Sequence, residues 1–135
     1  MALMARKAAA NPDVLAFMAD NGLVDLGAVD EFLRAHYFYR DEIEEVLRTP
    51  EFMLNDLTRI GYLEGDCDDI STLAAALFKA LGYPVRFAAI RFDATNPNFE
   101  HVFTQVYDMA EWHTFDGTVQ PGTQEHVLES MIQEV

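Results

Sequence analysis

The chain has 135 residues, half of them hydrophobic, and its 23 acidic residues against 9 basic ones give a formal net charge of -14. That length suits one domain with one core, and a surface this negative argues against nucleic acid or anionic lipid as partners. One cysteine forms no internal disulfide, no apolar run approaches the ~20 residues of a membrane span, and residues 1–10 lack the unbroken apolar stretch of a secretory signal, so a soluble, cytoplasmic protein is expected.

In chain order, Asn11-Pro12 reads as an N-cap with proline at the first helical position, and Asn21-Gly22 as a stop. Val14, Leu15, Phe17 and Met18 give the helix between them an apolar side. A second helical stretch covers about 26–47, broken near Tyr39-Arg40, with Val29, Phe32, Leu33, Tyr37, Ile43, Val46 and Leu47 as its buried face. Thr49-Pro50 opens a third helix that turns Phe52, Met53, Leu54 and Leu57 inward. Gly61 and Gly65 then bracket a turn.

Glu64-Gly65-Asp66-Cys67-Asp68-Asp69 follows and runs into an alanine- and leucine-rich helix. Asp66 suits the N-cap and acidic residues fill the first turn, while Gly82 and Pro84 end the helix. Cys67, Ile70, Ala74, Leu77 and Leu81 share one stripe, so the sulfur points toward whatever the helix packs on.

After Gly82 the period changes. Residues 85–92 and 101–107 read as strands, joined by a polar loop at 93–98. Asp108-Met109-Ala110-Glu111 is a hairpin link into a third strand, 112–115. Residues 117–122 are irregular, and 125–132, carrying Val127, Leu128 and Met131, read as a terminal helix. Helices followed by a meander make this an α+β fold: N-terminal helices and a central helix opening with the cysteine, packed on a small antiparallel sheet. One domain spans 1–135, with a helical lead-in at 11–60, a core at 61–123 and a short C-terminal helix at 124–135.

The hairpin brings chemistry together. If Tyr107 pairs with Trp112, Phe103 lies opposite Asp116, and alternation puts His101, Phe103, Gln105 and Tyr107 on one face with Trp112, Thr114 and Asp116. His101 and Asp116 become diagonal neighbours, about 7–8 Å apart at Cα, within reach of each other. With the cysteine helix set across that face, Cys67, His101 and Asp116 make a nucleophile, a base and a group that orients the base. The helix N-terminus and the imidazole favour the thiolate. Glu64, Asp66, Asp68 and Asp69 oppose it, but capping carboxylates turn toward backbone N–H groups and are expected to lose. The Cys67 N–H is the expected oxyanion donor, with Tyr62 and then Asn55 as side-chain candidates for a second.

GDCDD before the helix, LGYPVRF, HVFTQVY and WHTFDGT together resemble the transglutaminase-like superfamily of papain-type cysteine enzymes, over about residues 49–123, and the compact bacterial and phage-encoded members most of all. The resemblance implies a cysteine opening the central helix and a histidine and aspartate on adjacent strands, matching Cys67, His101 and Asp116. It implies peptidase, amidase or acyl-transfer activity, or a copy that has lost it, and no cofactor. Many relatives read Asp-Pro-Thr where this chain has Asp116-Gly117-Thr118, and the glycine is expected to loosen the placement of the carboxylate.

Plainer readings stand beside these. A cysteine on an apolar stripe is commonly a small core residue, and Asp before Gly is a common turn pair. The acidic turn at 64–69 lacks the spacing of a calcium loop and reads as capping plus a solvated rim. Zinc on Cys67, His101 and Asp116 is chemically allowed but disfavoured. His36, His113 and His126 read as structural or surface, Trp112, Phe103 and Tyr107 as core or cleft wall, and Arg86 and Arg91 as edge or solvent charge. The expectation is cysteine-dependent hydrolysis of a peptide or amide substrate. The rival is the same fold as a binding module or a virion-associated partner of phage structural proteins.

Overall fold

The computed structural model describes residues 1–40, 47–91, 101–117 and 129–135. Their elements are α1 (Ala2–Ala9), α2 (Pro12–Asp20), α3 (Leu26–His36), β1 (Tyr37–Tyr39), α4 (Pro50–Ile60), β2 (Leu63–Gly65), α5 (Cys67–Ala80), β3 (Val85–Arg91), β4 (His101–Asp108), β5 (Glu111–Phe115) and β6 (Glu129–Glu134). The α+β architecture is the expected one. Ile43, Val46, the 93–98 loop, Val127 and Leu128 lie outside the described residues.

The molecule is built around α5. Every residue from Asp69 to Phe78 is buried, so the helix is covered on all sides rather than along one stripe. Ala74, Ala75 and Ala76 allow this, because small side chains let neighbours approach closely. One of those neighbours is α1, which packs on α5 with Ala5 and Ala8 fully buried. This helix was not expected: alanines favour helix but carry too little apolar contrast to register as a stripe. At its C-terminus, α5 ends at Gly82 in the left-handed conformation with φ +92°.

The lead-in follows its local signals up to a point. Asn11 caps α2 and Thr49 caps α4 through side-chain bonds to Asp13 N and Phe52 N. On α4, Met53 and Leu54 are buried, but Phe52 turns outward. The second helix stops at His36 rather than near Tyr39. Tyr37–Tyr39 leaves it to pair in parallel with Leu63–Gly65, the stretch read as a turn. A long-range strand pairing overrides the helical period here.

The main sheet runs β5-β4-β3-β6, all antiparallel. Tyr107 pairs with Trp112 and Thr104 with Phe115, the register deduced from the hairpin link. A helix was expected at 124–135, yet Glu129–Glu134 is a strand along β3, with Ala88 opposite Ile132. Without it that edge of β3 would leave unpaired N–H and C=O groups, and a helix this short would bury little in exchange. The face that carries α5 is also a correction. Val102, Thr104, Val106 and Phe115 are buried beneath the helix, whereas His101, Phe103 and Gln105 alternate to the other side. His101, as the first residue of β4, meets the start of α5 at the rim of the sheet rather than across its face.

Candidate active site

Cys67 is the first residue of α5, and two carboxylates lock the turn that presents it. Asp66 caps the helix by accepting from Asp69 N at 3.1 Å, and Asp69 answers by accepting from Asp66 N at 3.1 Å. Gly65 makes room for this box. A Cβ there would sit 2.7 Å from both Cβ and Oδ2 of Asp69. Asp69 also accepts from Arg48 N at 2.7 Å and is 1% exposed, so it is a buried member of the box rather than part of a solvated rim. Burial pushes its carboxyl up to about 6, against the pull of the Arg48 and Asp66 N–H groups. Glu64 is tied outward to Arg40 Nη1 at 2.7 Å, while Arg48 Nη1 donates to the Glu64 carbonyl at 2.8 Å. These bonds occupy the carboxylates of Glu64, Asp66 and Asp69, whereas Asp68 Oδ1 lies 3.9 Å from Cys67 Sγ.

His101 and Asp116 meet as the register requires. Nε2 of His101 lies 2.5 Å from Oδ2 of Asp116, and the two side chains are 13% and 11% exposed. Cys67 lies near enough to the imidazole to act on its titration. Burial alone would lower the pKa of His101. The bonds to Asp116 and Cys67 and their negative charges outweigh it and raise the pKa to about 9. The arrangement therefore favours the imidazolium form of His101 beside the Asp116 carboxylate. As the first residue of a helix, Cys67 has an N–H with no acceptor inside the helix, which leaves it available to a substrate oxyanion.

Gly117 does not loosen the aspartate. It packs where a Cβ would lie 3.1 Å from Ile70 Cγ1 and 3.4 Å from Tyr37 Cδ1, so the turn after Asp116 is wedged against α5 and β1. Tyr37 is a site residue that the sequence reading assigned only to a helical face. Its hydroxyl donates to the Gly65 carbonyl at 2.6 Å, two residues before the cysteine. Burial, then the charges of Cys67 and Asp66, keep that hydroxyl protonated far above its ordinary range. An aromatic directly after a helix end, opposite a glycine-rich lead-in, was the available signal.

The two side-chain oxyanion candidates are both exposed. Tyr62 is exposed with its ring edge-on to Phe38 at 5.9 Å. Asn55 is exposed on α4 and lines a groove of about 550 Å³ against α2. Among the described residues neither hydrogen-bonds Cys67. Arg86 is not edge charge: it stacks on Trp112 at 3.9 Å and donates to Gln105. His36 Nδ1 lies 2.8 Å from the Phe32 carbonyl and His113 Nε2 3.1 Å from the Asp108 carbonyl; His126 is outside the described residues. Among the described residues no group of three or more His, Cys, Asp or Glu is placed to hold a metal ion, and no helix is long and apolar enough to cross a membrane.

Comparison with known proteins bears on this geometry. Among curated proteins no match was found. A solved structure, that of a "putative cysteine protease" from Cytophaga hutchinsonii, shares the fold with a TM-score of 0.57 at 19% identity, over 84% of this chain and 37% of that one. This chain thus spans little more than a third of that protein's length. The family model of the transglutaminase-like superfamily matches residues 25–117, which include Cys67, His101 and Asp116. On that match the chain belongs to the transglutaminase-like superfamily.

Proposed function

We propose that the protein is a cysteine-dependent acyl-transfer enzyme acting on peptide or amide substrates, with hydrolysis as its outcome. The observation that carries this reading is the His101 ring, bonded to Asp116 at 2.5 Å and near enough to Cys67 for the two to interact. The Cys67 thiolate attacks the carbonyl carbon, and the new oxyanion takes a hydrogen bond from the Cys67 N–H. The His101 imidazolium gives its proton to the departing amine as the C–N bond breaks, leaving a thioester. Neutral His101 then takes a proton from water, the hydroxide oxygen bonds the acyl carbon, and the thiolate leaves. Asp116 keeps the ring oriented and stabilises its charged form. An amine in place of water would give cross-linking. Water is always present and no amine site is legible, so hydrolysis is the default.

Alkylation by iodoacetamide as a function of pH tests this. The expected result is rapid labelling of Cys67 at about pH 6, well below the ~8.5 of a free thiol, abolished by His101→Ala. A thiol that labels only near pH ~8.5 in both proteins would support a catalytically idle fold that serves in binding instead.

A further inference from the structure

One polar contact in the interior is used by none of the chemistry above. Ser71 Oγ donates to the Val102 carbonyl at 3.2 Å, and Thr104 Oγ1 donates to the Ser71 carbonyl at 2.8 Å. Ser71 is 2% exposed and Thr104 fully buried, so both bonds are dry. They join the two elements that carry the sulfur and the imidazole. Ser71 follows Cys67 by four residues, on the same side of α5 and about 6 Å along it. Val102 directly follows His101, and Thr104 comes two residues later on the same face of β4.

We propose that Ser71 and Thr104 are positioning residues that fix α5 against β4 and thereby set the separation of Cys67 and His101. This rests on the functional reading above. Around this clamp the contact between helix and sheet is largely apolar, through residues such as Phe78, Phe115 and Val106, with Lys79 Nζ donating to the Val135 carbonyl at the far end of α5. Apolar contact is non-directional and leaves sliding along the strand weakly opposed. Hydrogen bonds hold within a few tenths of an ångström, the tolerance that a sulfur–imidazole pair demands. The two bonds meet at Ser71 from neighbouring points on β4, so a shift of the helix along the strand would stretch or bend both. The Ser71 carbonyl keeps its helical N–H partner without Thr104, so the fold can survive loss of the clamp.

The test compares pH profiles of iodoacetamide alkylation for Thr104→Val, Ser71→Ala, Thr104→Ser and Val106→Ala. Thr104→Val keeps shape and removes the hydroxyl; Val106→Ala weakens the same interface without touching the clamp. Thr104→Val and Ser71→Ala are each expected to lower the rate at pH ~6 about tenfold, a shift of about one pH unit in the profile. Thr104→Ser should restore wild-type behaviour, and Val106→Ala should lower the melting temperature with an unshifted profile. If Thr104→Val fails to fold, Ser71→Ala carries the comparison. Profiles shifted equally by Val106→Ala, or unshifted by both clamp variants, would overturn the proposal while wild-type activation stands. An ordinary thiol in the wild type would instead overturn the functional reading itself.

Discussion

His101 and Asp116 stand fifteen positions apart in the chain, yet Nε2 of one lies 2.5 Å from Oδ2 of the other. The hairpin at Met109-Ala110 folds β5 back on β4 in the single register that makes this contact. A slip of one residue would turn either side chain to the opposite face.

The first prediction follows from that bond. The imidazolium is fully formed below its raised pKa and is lost as pH climbs through about 9, so the alkaline limb of kcat/KM should fall there. In Asp116→Ala the larger of the two influences that raise the pKa is gone, and burial, opposed only by Cys67, lets it fall back toward about 6.5. The alkaline limb should move down by about two units and the optimum rate should drop by about 10² or more. A pH–rate profile on a hydrolysed peptide measures both, and an unmoved limb would refute the role given to Asp116.

Asp69 makes a prediction of the opposite kind to most carboxylates. Its folded pKa, about 6, exceeds the unfolded value of about 3.9, so the fold prefers the protonated form. That preference is fully present below pH ~3.9 and disappears as pH rises through about 6, a change of about 3 kcal/mol. The stability of wild type relative to Asp69→Asn should therefore fall by that order between pH ~4 and ~7 in urea titrations. A difference that grows with pH would contradict it.

Gly65→Ala should cost about 2–3 kcal/mol, because the added carbon overlaps Asp69 and breaks both halves of the capping box. Urea denaturation measures the loss. The same variant should slow alkylation of Cys67, since the turn that presents the sulfur loses its lock.

Local signals made part of this molecule legible. Thr49-Pro50 and Asp66 announce helix starts through bonds that close within three residues, and the four-residue hairpin fixes its own register. The triplet of Cys67, His101 and Asp116 came from those two facts. What stayed hidden depends on partners distant in sequence. Tyr37 continues the helical period of Val29 and Leu33, and only its pairing with Leu63 draws it out of the helix and onto Gly65. Residues 129–134 carry no strong strand pattern; the open edge of β3, more than forty residues earlier by the Ala88–Ile132 pairing, makes them a strand. The side of the sheet that α5 covers was misjudged because alternation gives two faces without saying which is inside. Buried Val102, Thr104 and Val106 decide it.

The hairpin itself is strained where it need not be. Met109 and Ala110 hold φ of 52° and 65°, a conformation that glycine and asparagine adopt more readily. Met109→Asn with Ala110→Gly should raise stability by about 1 kcal/mol and leave activity unchanged, as read by thermal unfolding and peptide hydrolysis.

The thiolate absorbs in the ultraviolet where the thiol does not, so titrating that absorbance against a Cys67→Ser blank reads the pairing of sulfur and imidazole without any substrate. Thiolate absorbance persisting at about pH 6 in the wild type, and gone there in His101→Ala, is the predicted result. Absorbance that rises only near pH ~8.5 in both proteins would contradict the account.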